Sequence, residues 1–169
     1  MPQILTGAAI RAATPADARL MAALHAPAFP KEPWPADAMA TMLESPGVFG
    51  LIIAAASPGP APTPAQGFIL CRMAADEGEV LTLAVLPEMR RRGLGARLLE
   101  RAQATLATCG ITTLFLEVAE DNPAALALYQ GSGFTQIGRR PHYYQRGAGR
   151  VAALVLSCPL ARLINPLQP

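Results

Sequence analysis

The chain has 169 residues, of which 51% are hydrophobic and 15% charged, with a formal net charge of +2. That length suits one ordinary domain with a full core. The sparse, balanced charge excludes a disordered polyampholyte and a general nucleic-acid clamp, which would need a strongly basic face. Lysine occurs once, at Lys31, while alanine occurs 33 times, a skew that reads as genome composition rather than function.

No run reaches the roughly 18 apolar residues of a membrane span. Arg11 and Asp17 interrupt the region where a signal peptide would carry its apolar core, so the expected compartment is the cytoplasm. Cys71, Cys109 and Cys158 are odd in number and far apart, and they read as small buried thiols rather than a disulfide framework or a zinc site. His25 and His142 lack partners at metal spacing, so no metal is expected.

In chain order, Ala8–Ala13 reads as a first strand. Thr14-Pro15-Ala16-Asp17 then reads as a helix start, with Thr14 as cap and Pro15 at the first helical position. That helix is expected to stop at about Ala26, before Pro27. A proline-broken loop carrying Trp34 leads to a second helix over Ala36–Glu44. Strands follow at Val48–Ala55, Gln66–Met73 and Glu79–Val85, with Asp76-Glu77-Gly78 as the last turn. The proline-rich stretch 57–65 reads as an exposed loop inside a single domain spanning 1–169. Leu94, Leu98, Ala102 and Leu106 recur at helical spacing and predict a helix over Gly93–Cys109. A strand at Thr112–Ala119, a helix at Pro123–Gln130 and strands at Phe134–Gly138 and Val151–Cys158 complete the chain. The order predicts a mixed α/β sheet. An antiparallel meander precedes two helices that act as parallel crossovers between neighbouring strands.

The segment richest in chemistry runs from Val80 through Val85 into Arg90-Arg91-Arg92-Gly93-Leu94-Gly95-Ala96. A strand feeds a glycine-turned loop, and the loop feeds a helix N-terminus. Glycines let backbone amides approach an anion, and the helix start adds free donors and a positive dipole end. The ligand this predicts is a diphosphate. The third glycine of a dinucleotide fingerprint is replaced by Leu98, and no Gly-Lys-Ser/Thr follows, so neither a Rossmann site nor a Walker loop is implied.

Some twenty residues on come Leu116-Glu117-Val118 and Asn122-Pro123-Ala124-Ala125-Leu126-Ala127-Leu128-Tyr129, then Gly133-Phe134. R-x-x-G-x-G followed by N-x-x-A-x-x-L-Y-x-x-x-G-F resembles the GNAT N-acetyltransferases. Leu83-Ala84-Val85, Arg91–Gly95, Leu116–Val118 and Arg139-Arg140-Pro141-His142-Tyr143-Tyr144 give it its strongest similarity to the RimI-like ribosomal protein-alanine N-acetyltransferases. The resemblance implies a single-domain α/β (α+β) fold. Its sheet is mixed and mostly antiparallel, of about six to seven strands with flanking helices, and a central parallel pair forms the acetyl-CoA cleft.

It also implies acetyl-CoA as co-substrate, no metal, and direct transfer to a primary amine. The acceptor implied first is the N-terminal α-amine of an alanine on a ribosomal protein; a small-molecule amine, or a non-catalytic acyl-CoA sensor, is the alternative. Leu83, Ala84 and Val85 would hold the pantetheine arm. Arg90, Arg91, Arg92, Gly93, Leu94, Gly95 and Ala96 would cradle the pyrophosphate, and Asn122 would contact the co-substrate. Glu117 matches the proton acceptor and Tyr129 the proton donor. The branch often carries arginine where this chain has Ala96.

The chemistry needs such a pair. An α-amine with a pKa near 8 is largely charged at neutral pH, and a carboxylate must take its proton before it can attack. Alternatives stay open at this level. Glu79 is a rival base. Tyr129 could pack on Phe134, and Asn122 is in any case a helix cap. Trp34 could gate the acceptor or anchor its loop, and Tyr143 and Tyr144 could line the acceptor channel or serve as strand aromatics. Neither nucleic acid nor membrane is an expected partner, and oligomeric state is not legible.

Overall fold

The computed structural model describes residues 8–54 and 64–161. All of the proline-rich loop before Pro64 lies outside them. Seven strands hydrogen-bond side by side in the order β1-β2-β3-β4-β5-β7-β6. They are β1 (Ala9–Ala12), β2 (Val48–Ala54), β3 (Ala65–Ala74), β4 (Glu77–Val85), β5 (Thr113–Ala119), β6 (Thr135–Arg146) and β7 (Gly149–Pro159). Four helices, α1 (Ala18–Ala28), α2 (Ala36–Glu44), α3 (Leu94–Thr108) and α4 (Pro123–Gly131), complete the described chain. The backbone divides into two compact units, one running to Arg72 and including Leu81–Ala102, the other formed by Met73–Val80 and the chain from Gln103.

In the first unit β1, β2 and β3 pair antiparallel. Helices α1 and α2 bury Met21, Leu24 and Met39 in a cluster with Ile52, Phe68, Leu70 and Ala84. Each fully buried aliphatic or aromatic side chain of this kind contributes roughly 1.5–3 kcal/mol. The expected start of α1 is tightened into a 3-10 turn at Pro15–Asp17. Asp17 staples it, accepting from the Thr14 amide at 2.9 Å and from Arg11 at 2.7 Å. Those bonds, the Arg11 one foremost, hold its carboxyl well below the usual carboxylate range.

Pro27 does not end α1. It sits inside the last turn, and the helix closes one residue beyond Ala28 with the Phe29 amide donating to His25 O at 2.8 Å. A missing N–H there costs one bond at a terminus that frays in any case.

In the second unit β5 pairs parallel with β4 in the register Glu77–Thr113 to Glu79–Phe115, and antiparallel with β7. The leucine stripe of α3, which begins in the first unit and ends in the second, is buried as its spacing predicts, from Leu94 and Leu98 to Ala102 and Leu106. Three expectations change. First, Gly78 is a strand residue, and the turn is made by Ala75, at φ 54°, with Asp76. A Cβ on Gly78 would lie 3.2 to 3.4 Å from Leu114, Ile111 and Leu106, so its glycine serves close packing. Second, α4 does not join neighbouring strands, because β7 lies between β5 and β6. Third, β6 runs to Arg146 rather than stopping at Gly138. Pro141 hides this extension. It is accommodated in a register shift between Arg140 and Tyr144 on the outermost strand, with His142 at φ 54°.

Candidate active site

The first unit carries the glycine-turned segment. Leu83, Ala84 and Val85 end β4, and the last two are buried. β3 approaches them closely, since a Cβ on Gly67 would stand 2.6 Å from Ala84 O. Register shows why. Ile53 faces Gly67 and Ala54 faces Ala65, so Gln66 is the extra residue of a β-bulge. Its carbonyl accepts the Leu86 amide at 2.9 Å, while its buried side-chain Oε1 has no hydrogen-bond partner among the described residues.

A 3-10 turn at Pro87–Met89 follows, and Arg90 Nε donates back to Val85 O at 3.3 Å. Arg90 is therefore tied to its own strand, although it is exposed like Arg91 and Arg92. Arg91 (φ 60°) and Gly93 (φ 79°) both adopt the left-handed conformation. No atom lies within 4 Å of a Cβ built on Gly93, so the backbone dihedral rather than crowding selects glycine there.

The Arg97 amide makes the first bond of α3, to Gly93 O at 3.1 Å. The amides of Leu94, Gly95 and Ala96 precede it and by helix geometry have no intrahelical acceptor. They form a donor set suited to an anion at the positive end of the helix. Arg97 itself donates to Ala8 O at 2.6 Å.

The same unit orders the tryptophan loop through a contact that spacing did not reveal. His25 is buried and stacks on Phe29 and Trp34, with centroids 4.4 and 5.1 Å away. Its Nδ1 accepts the Trp34 backbone amide at 3.1 Å. Burial lowers the His25 pKa, and Trp34 acts as an anchor of its loop.

The second unit carries the proton-transfer candidates. On β5, Leu114, Leu116 and Val118 are buried on one face, and Glu117 lies on the other with its side chain 24% exposed. Its partner is Arg140, with Nε 2.6 Å from Glu117 Oε1. Asn122 caps α4, its Oδ1 accepting the Ala125 amide at 3.1 Å, and Pro123 follows as the first helical residue. Tyr129 is buried in α4 and meets the Phe134 ring edge-on at 5.8 Å. Glu79 stands half-buried on β4, in register with Phe115 of β5.

Arginines of β6 also clamp the β5–α4 loop. Arg139 binds Glu120, whose carboxyl the Ala152 amide and then Arg139 hold below its usual range, and Arg146 binds Asp121. Tyr143 and Tyr144 meet edge-on on β6, with Tyr143 exposed.

The cysteines divide differently from expectation. Cys71 and Cys158 are buried, but Cys109 is exposed because it lies just past the end of α3. Burial pushes the Cys71 thiol up to about 12. Among the described residues no cluster of His, Cys, Asp and Glu is arranged to hold a metal, and no helix is long and apolar enough to cross a membrane.

With this geometry in place, the comparisons with known proteins decide the family. The model described as the acetyltransferase (GNAT) family matches residues 19–134. The chain belongs to the GNAT family. The matched segment contains Leu83–Ala96, Glu117, Asn122 and Tyr129. This GNAT chain is 40% identical to the N-alpha-acetyltransferase RimI of Mycobacterium tuberculosis over 137 residues, 80% of this chain and 84% of that one. It is 38% identical to the ribosomal protein bS18-alanine N-acetyltransferase of Salmonella typhimurium over 94 residues, 56% of this chain. That match spans 64% of the Salmonella protein. The crystal structure of the ribosomal-protein-S18-alanine N-acetyltransferase from Escherichia coli superposes with a TM-score of 0.81 at 26% identity, covering 96% of this chain and 99% of that one.

Proposed function

We propose that this GNAT chain transfers the acetyl group of acetyl-CoA directly to a primary amine, the α-amine of an N-terminal alanine on a ribosomal protein such as bS18. One observation carries the chemistry. A single family-matched segment holds a glycine-turned helix start, a half-buried carboxylate at Glu117 and a buried phenol at Tyr129. The acceptor is inferred from the relatives, which are named for acting on that ribosomal alanine.

The donor residues fit acetyl-CoA. Amides ahead of the Gly93–Arg97 bond suit a diphosphate, assisted by Arg91 and Arg92. Ala96 contributes its amide and no side-chain charge. Leu83, Ala84 and Val85 would hold the pantetheine arm through their backbone, and Asn122 would contact the co-substrate beside its capping role. Glu117 takes a proton from the acceptor ammonium, leaving a neutral amine. The amine nitrogen attacks the thioester carbon while the Val85 amide receives the developing oxyanion. The new C–N bond forms, the C–S bond breaks, and the Tyr129 phenol gives its proton to the departing sulfur; the second proton, shed by the acylated nitrogen as it becomes an amide, restores the phenol. The chain works as one acetyltransferase domain in the cytoplasm, where ribosomes are.

An acceptor screen tests this reading. Peptides beginning with alanine, polyamines, aminoglycosides and free amino acids are incubated with the protein and acetyl-CoA. Acetylation at the peptide α-amine is expected. Acetylation of a small amine with every peptide untouched would overturn the acceptor assignment.

A further inference from the structure

We propose that Arg140 is a positioning residue that holds Glu117 and keeps the place of the acceptor's cation until the acceptor arrives. The inference rests on Glu117 being the proton acceptor.

Strand register puts the two side chains together. Glu117 faces Val155, Ala153 lies two residues along β7, and Arg140 faces Ala153. Cross-strand partners and residues two apart share a face, so Glu117 and Arg140 lie on the same side of the sheet. The intervening Ala153 is small enough for the guanidinium to pass, and the pair closes at 2.6 Å. Directly after Arg140 the strand breaks register, and His142 adopts a left-handed backbone. Such a bulge re-aims the side chains beside it.

The neighbouring carboxylates are served otherwise. Glu120 binds Arg139, and Asp121 binds Arg146. Arg139 faces Leu154, which in turn faces Val118, placing it on the opposite side of the sheet from Arg140. Arg140 is thus the arginine at the candidate base.

Exposure gives the pair its function. The Arg140 side chain is 60% exposed and that of Glu117 is 24% exposed, so the guanidinium is the more solvent-facing partner. An ion pair this open is weak and exchangeable. It fixes the carboxylate rotamer while leaving the position available to an ammonium. The acceptor displaces the guanidinium, gives its proton to Glu117 and becomes neutral. Once Glu117 releases that proton, Arg140 pairs with it again. The site therefore selects acceptors that arrive as cations.

Steady-state kinetics with acetyl-CoA and an alanine-initiated peptide tests the proposal, with Glu117→Gln measured in parallel. For Arg140→Gln the account expects opposite movements. The peptide KM falls about three- to fivefold because the competitor is gone, and kcat falls roughly tenfold because the carboxylate is no longer held. Arg140→Lys returns both parameters to within about twofold of wild type. If Glu117→Gln is inactive while Arg140→Gln leaves kcat and KM unchanged, or raises KM, the role of Arg140 is overturned and the base assignment stands. If Glu117→Gln keeps full activity, the base assignment fails and the inference falls with it.

Discussion

The two units hold their polar chemistry in different ways. In the first, the groups facing the proposed co-substrate are backbone amides at the start of α3 and the backbone of β4, set by the left-handed turn at Arg91 and Gly93 and by the close approach of Gly67. Its arginines serve partly as struts, Arg90 on Val85 O and Arg97 on Ala8 O. In the second unit the groups proposed to work are side chains, Glu117 and Tyr129, flanked by the arginines that pair across β7. A backbone-built site tolerates changes in side-chain identity and is broken by an added Cβ. A side-chain-built site tolerates backbone adjustment and is broken by removing one functional group.

Substitutions separate these two modes, beginning with the largest expected effect. Gly67→Ala places a methyl group 2.6 Å from Ala84 O and should destabilise the protein by about 3 kcal/mol, read as a fall in the denaturant midpoint. Tyr129→Phe keeps the ring on Phe134 and removes only the hydroxyl. It should lower kcat by roughly thirtyfold, about 2 kcal/mol. Gly93→Ala meets no neighbour but carries a positive φ, so it should cost about 1 kcal/mol of stability and weaken acetyl-CoA binding in calorimetry. A weakening of acetyl-CoA by Tyr129→Phe greater than that by Gly93→Ala would erase the contrast between the units.

The smallest effect concerns His25. Its pKa is lowered by burial, and its Nδ1 must be unprotonated to accept the Trp34 amide. The folded state therefore favours the neutral ring. Its stabilising contribution is complete above the unfolded pKa of about 6.5 and is lost as pH falls below it. The unfolding free energy should decline below that pH by about 1.4 kcal/mol per pKa unit of difference, and His25→Gln should flatten the slope.

Much of this was legible in the residues because it is local. The leucine stripe of α3, the alternation that puts Glu117 opposite Leu116 and Val118, and the Asn122-Pro123 helix start each depend on a few consecutive positions. The glycine turn was legible for the same reason. What stayed hidden depends on distant partners. Arg140 belongs to a recognised segment, but its meeting with Glu117 requires β7 between β5 and β6 and the register that follows. Gly78 resembles a turn residue until Leu114, Ile111 and Leu106 crowd it. The length of β6 was masked by Pro141, which an outermost strand with a bulge accommodates. The burial of His25 comes from Trp34 and Phe29 folding onto it, which no spacing encodes.

The division of labour is tested most directly by one pair of measurements on Glu117→Gln: turnover of an alanine-initiated peptide, and acetyl-CoA affinity by calorimetry. The expected kcat falls by about 10²–10³, the scale of a lost general base, while acetyl-CoA affinity stays within about twofold because Glu117 is not among the residues proposed to hold the co-substrate. Turnover at the wild-type rate, or a loss explained by failure to bind acetyl-CoA, would contradict it.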